Sequence, residues 1–104
     1  MEYGRLAEKM SDARRHLMLP HPNGEEQSIA DALWECSKVL NDLHTEDLDD
    51  SARAWVDTIR ALMDADGQSY VAKAHGMTLD DKYDLRGAVD ELATWARRKS
   101  YGID

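Results

Sequence analysis

The apolar residues of this chain recur every three or four positions in four separate runs, and no segment alternates apolar with polar over the length of a strand. Side chains three and four apart share one face of an α-helix, whereas strand faces repeat every two residues, so the spacing predicts an all-helical chain. Tyr3, Leu6, Ala7, Met10, Ala13 and Leu17 form the first stripe, over about residues 2 to 18, with Arg14, Arg15 and His16 near its end, where cations suit the helix dipole. Pro20 and Pro22 stop that helix. Each ring removes an N–H donor and biases the residue before it, Leu19 or His21, toward extended backbone, which leaves Leu19 to Gly24 as a stiff connector.

Ile29, Leu33, Cys36, Leu40 and Leu43, with Ala32 and Val39, make the second stripe, and Asn23 is placed to cap it with Glu26 in the matching third position. Thr45 to Asp47 offers caps and early negative charge to a third helix, whose expected buried face is Leu48, Ala52, Trp55, Val56, Ile59, Leu62 and Met63 and which Gly67 ends. The connector 66–77 has room for one short helical piece carrying Tyr70, Val71 and Ala74 between Ser69 and Gly76. Thr78 and Asp81 have the spacing of a capping box for the last helix, with Leu85, Val89, Leu92 and Ala96 on its core side, basic residues in its final turn and Gly102 closing it. Gly87 lies inside that helix, where glycine costs about 1 kcal/mol relative to alanine. Close approach of another backbone, with the 66–77 connector as the candidate, would account for it.

Helices of about 15 to 20 residues span roughly 22 to 30 Å, enough to hide one stripe each around a shared core, and short connectors favour antiparallel neighbours. The expectation is therefore a single helical domain over residues 1–104, an antiparallel four-helix bundle with room for a short extra helix between helices three and four. A chain of 104 residues buries only about two thirds of its unfolded surface, so pairing with a second copy or another protein is a route to added stability.

A formal charge of −8 disfavours direct binding to a phosphate backbone, which needs a basic patch. Most of the imbalance sits in residues 41–66, where eight carboxylates face only Arg53 and Arg60. Cys36 has no second cysteine to pair with, and no apolar run reaches signal-peptide or membrane-spanning length, so a reducing cytoplasm is the expected compartment, with neither nucleic acid nor membrane as partner. None of His16, His21, His44 and His75 has a glutamate three positions before it, as di-iron bundles require, and zinc spacings are absent. Aligning Gly67 with the glycine of a calcium loop puts Leu62 and Lys73 at ligand positions, where neither can serve. Cys36 sits mid-stripe as a small buried hydrophobe, and no glycine-rich phosphate loop occurs. No catalytic, cofactor-binding or metal-ligating residue is assigned. The nearest acid–base grouping is His16 and His21 at the proline connector with Glu25 and Glu26 after it.

Two surfaces stand out. At about 100° per residue Trp34 lies near 140° from Ile29, while Leu33, Cys36 and Leu40 fall within about 40°, so it points away from the core with Ala30, Ser37 and Asn41 on the same flank. Tryptophan concentrates at binding hot spots because it removes much apolar area from water and keeps an N–H donor; the alternative is that Trp34 widens the core stripe. Trp95 sits on the edge of its own stripe and is expected to flank the core. The second surface is acidic, Asp47, Asp49, Asp50 and Asp57, suited to a basic partner or to plain solvation. The leading expectation is a non-enzymatic protein–protein interaction module, paired with itself or with another protein. The alternatives are a small acidic regulator or inhibitor of a basic or nucleic-acid-binding protein, and an enzyme or metal protein built on the His16 and His21 region.

Overall fold

The structure, a computed structural model, describes residues 3–102; Glu2, where the first helix is expected to begin, lies outside the described residues. Five helices follow in order, α1 (Tyr3–His16), α2 (Glu25–Leu40), α3 (Asp50–Met63), α4 (Tyr70–Gly76) and α5 (Leu79–Ser100), with a 3-10 turn at Thr45–Asp47 before α3. No strand occurs among the described residues. α1 closes two residues short of its stripe, as the Leu17 and Met18 N–H groups bond to Arg14 and Arg15 carbonyls in a tightened last turn, yet Leu17 stays buried.

Local capping explains the starts. The Asp49 carboxylate accepts the Ala52 N–H, the Ser69 hydroxyl accepts the Ala72 N–H, and Thr78 and Asp81 exchange both bonds of a capping box. The short piece expected between Ser69 and Gly76 is α4. Two expected starts are corrected. α2 opens from Gly24 at φ +94°, with no side-chain cap, because glycine alone reaches that backbone freely; Asn23 therefore falls outside the helix. Thr45 to Asp47 does not start α3 but closes on itself, the Leu48 N–H donating to the Thr45 carbonyl, and Leu48 is buried ahead of the helix. α3 also ends before Gly67: the Asp64 carboxylate takes the Asp66 N–H at 3.1 Å, a local turn that competes with a further helical residue.

α1 lies along both α5 and α2, α3 packs on α5, and α4 packs on α2. The stripes meet in one core, with Met10, Leu33, Leu40, Ile59, Leu85 and Leu92 fully buried; each such side chain contributes roughly 1.5–3 kcal/mol. α4, the helical part of the 66–77 segment, packs on α2, and a Cβ at Gly87 would meet nothing within 4 Å, so the backbone approach expected there does not occur.

α2 and α3, consecutive in sequence, touch only sparsely. Polar bonds hold that joint. The Arg60 guanidinium donates to the carbonyls of Leu40 at 2.8 Å and Leu43 at 2.5 Å, and Arg53 donates to those of Thr45 at 3.2 Å and Leu48 at 2.9 Å. The α2 C-cap, Asn41, keeps helical backbone, so the helix has no left-handed glycine turn to take up its last carbonyls, and Arg60 does so instead. Replacing Arg60 by methionine is expected to cost about 2 kcal/mol in urea unfolding. Arg15→Met, which breaks a surface pair with Asp12, should change stability by less than about 0.5 kcal/mol. Equal losses in the two variants would show that the clamp does not hold the joint.

Candidate functional site

Trp34 is 57 % exposed on α2, but its flank is not the open patch the spacing suggests. Ala30 is 5 % exposed, because α2 is covered on two sides, by α1 and by α4, which widens its buried face. The Ser37 hydroxyl turns back onto its own helix and donates to the Trp34 carbonyl at 2.6 Å. Lys38 sits over the indole at 5.5 Å while donating to Glu35 at 2.7 Å, so one ring face is occupied from within the chain. Asn41 is exposed but lines a separate depression with Arg60, Met63, Asp64 and Tyr70.

The acidic surface divides in the same way. Asp49 is engaged internally: it caps α3 and accepts the Trp95 indole N–H at 3.0 Å. The Ala52 N–H first, then the Trp95 N–H, hold its carboxyl below the usual carboxylate range. Trp95 is half-buried, as its edge position implies, and meets the Tyr3 ring edge-on at 5.6 Å. Asp50 reaches Arg53 at 3.5 Å, while Asp47 and Asp57 are exposed without an ion pair among the described residues.

The acid–base grouping does not assemble. His16 is exposed and Glu26 faces His75 at 3.9 Å, leaving only His21 and Glu25 on a shared wall. Cys36 is fully buried, and desolvation pushes its thiol up to about 12, away from the thiolate a nucleophile needs. No group of three His, Cys, Asp or Glu side chains among the described residues could hold a metal ion, and no described helix is long and apolar enough to cross a membrane.

What the structure brings together is a groove. Where Pro20 and Pro22 end α1, the chain turns past the N-terminal half of α5 and leaves an open groove of about 840 Å³. Met18, Leu19 and Tyr83 line it while 59 %, 82 % and 76 % exposed, an unusual concentration of large apolar side chains in water. Tyr83, Arg86, Gly87 and Asp90 follow the i, i+3, i+4, i+7 spacing of one helix face and supply the α5 wall. Its carboxylates are both engaged, Glu25 by Lys82 at 2.7 Å and Asp90 by Arg14 at 3.4 Å. The hydrogen bond from Lys82 lowers the Glu25 carboxyl and raises the Lys82 ammonium from their ordinary values. Arg86 makes no hydrogen bond or ion pair among the described residues, and the buried Nδ1 of His21 has no hydrogen-bond partner. Tyr83 lying off the α5 stripe and Gly87 inside the helix were the sequence signals for this wall; Met18 and Leu19, past the end of the first stripe, carried none. Comparison with protein-family models, curated proteins and solved structures finds no significant match to this chain.

Two expected outcomes test this description. Gly87→Ala should raise stability by about 0.5–1 kcal/mol, since the helix gains propensity and the added methyl meets no atom; a destabilised variant would mean that the groove floor is not open. Asp49→Ala should cost about 1 kcal/mol at pH 7 through loss of the cap. With its folded pKa depressed, Asp49 contributes above the unfolded carboxylate value of about 3.9, and that contribution is lost as the pH falls through the lowered folded value. The gap to wild type in urea unfolding should therefore close in acid; a constant gap would contradict the assignment.

Proposed function

From this geometry we propose that the chain is a non-enzymatic interaction module that holds a segment of a partner protein in the groove between the proline connector and α5. The observation that carries the reading is the cluster of Met18, Leu19 and Tyr83 around an open groove whose α5 wall contains Gly87. Burying such side chains against a partner is worth roughly 1.5–3 kcal/mol each before the costs of association. Gly87 supports it from the other side, because a helix-interior glycine with nothing above it leaves the α5 backbone open to an occupant. A different protein fits better than a second copy, since two chains of charge −8 repel. The same proposal takes α1, α2, α3 and α5 as an antiparallel four-helix bundle with α4 as a short addition, working in the cytoplasm.

The test pairs capture with reconstitution. Proteins retained from cells by the wild type but not by a Leu19→Ser, Tyr83→Ser double variant are identified, purified and titrated against both chains. Both changed residues are exposed, so the variant should keep the wild-type helix content and unfolding midpoint. A pure partner is expected to bind the wild type with micromolar or tighter affinity and the variant about tenfold more weakly. A pure pair that does not bind, or binds the variant equally, overturns the reading.

A further inference from the structure

We infer that the groove takes a short peptide segment in which a carboxylate side chain follows apolar ones, the apolar part lying against Leu19, Tyr83 and the open backbone at Gly87 and the carboxylate meeting the Arg86 guanidinium. The inference rests on the groove being the docking surface and goes further by naming the chemistry of the occupant. It follows from which charges are already satisfied. Glu25 and Asp90 share the groove with Arg86, yet each is bonded to another cation, Lys82 or Arg14, and Arg86 is left without an ion pair among the described residues. With Lys82, which holds Glu25 from beside the lining, three cations stand against two carboxylates, so the groove carries one net positive charge; Arg86 also acts on Glu25 through space but makes no direct ion pair with it. A guanidinium presents a planar fork of donors that matches a carboxylate, and it binds more strongly as water is displaced by the apolar neighbours. The acidic excess elsewhere does not cancel this attraction, because charges beyond about 8 Å are largely screened at physiological ionic strength. The volume, about 840 Å³, is that of a site for a few side chains, which makes the occupant a short segment and not a folded face. Gly87 sets how close it comes: with no Cβ on the wall, an occupant side chain can rest on the helix backbone, and a methyl there would stand in its way.

The probes are three end-blocked hexapeptides, Ala-Leu-Leu-Glu-Glu-Ala and its Gln-Gln and Lys-Lys counterparts, titrated into the full ¹⁵N-labelled chain and followed by amide chemical shifts. The Glu peptide should move the resonances of Leu19, Tyr83, Arg86 and Gly87 and bind about tenfold more tightly than the Lys peptide, with the Gln peptide between them. Arg86→Gln should erase the preference of Glu over Gln while the shifts at Leu19 and Tyr83 persist. Gly87→Ala should weaken all three peptides severalfold in a chain that is itself more stable, which separates occlusion of the groove from loss of folding. A Lys peptide that binds as well as the Glu peptide, or a Glu preference that survives Arg86→Gln, overturns the inference and leaves the docking surface standing. If no peptide moves a groove resonance, the inference and the docking surface fall together.

Discussion

Between Leu40 and Asp50 the chain must pass from α2 to α3 without the two helices packing closely, and the carbonyls it exposes on the way are taken up by side chains of α3. Arg60 reaches back to the last turn of α2 and to Leu43, while Arg53 reaches the 3-10 turn and Leu48. A planar, permanently charged donor fork suits this task, since it satisfies two carbonyls at once without adopting a special backbone conformation. The consequence extends beyond the joint. α3 touches the rest of the core mainly through α5, and α5 in turn lies along α1, so the direction in which Arg60 holds α3 bears on where Val56 and Ile59 meet the shared core. The same two arginines are the only cations in the most acidic stretch, which makes their position on α3 structural as well as electrostatic.

How legible this was in the sequence depends on how far apart the deciding atoms lie. The stripes are readable because a helix face is a local repeat: Ile29, Leu33, Cys36 and Leu40 are buried together, as are Leu85, Val89, Leu92 and Ala96. The Thr78–Asp81 box is equally local and appears as the spacing implies. The start of α3 is not, because Thr45, Asp47, Asp49 and Asp50 are all capping residue types in one short stretch, and the choice of Asp49 goes with the Trp95 N–H, which comes from α5, 46 positions away. Ala30 fails for a related reason. A helical wheel assumes one covered face, whereas α2 is covered by both α1 and α4. Trp34 is exposed as its angle implied, but its surroundings depend on Lys38 and Ser37 rotamers that spacing does not encode.

The groove illustrates the limit most directly. Its walls come from the end of α1, the proline connector, the start of α2 and the face of α5, so no window of sequence contains it. Tyr83 lies off the α5 stripe, and Gly87 marks the place through energy and not through pattern: glycine in a helix interior is unfavourable, and the expected compensation inside the chain is missing. Gly87 thus weakens its own helix without relieving any contact within the fold, which is why the proposed docking surface is placed there. The stability it forgoes is small beside the core, and it lies where α5 faces solvent, so the fold tolerates it.

Net charge and local charge then point to different partners. As a whole, a chain of −8 attracts basic molecules, and that attraction is centred on the acids of residues 41–66. Residue by residue, Asp49 is occupied by Ala52 and Trp95, and Asp50 leans toward Arg53. The groove reverses the sign: its carboxylates are held by Lys82 and Arg14, and Arg86 stands beside exposed apolar side chains. Long-range attraction governs encounter, but at contact the interaction is decided by the few charges within a screening length and by whether they already have partners. Asp47 and Asp57 on the acidic face also stand without an ion pair among the described residues, so what sets the groove apart is that Arg86 stands beside apolar side chains that are still in water.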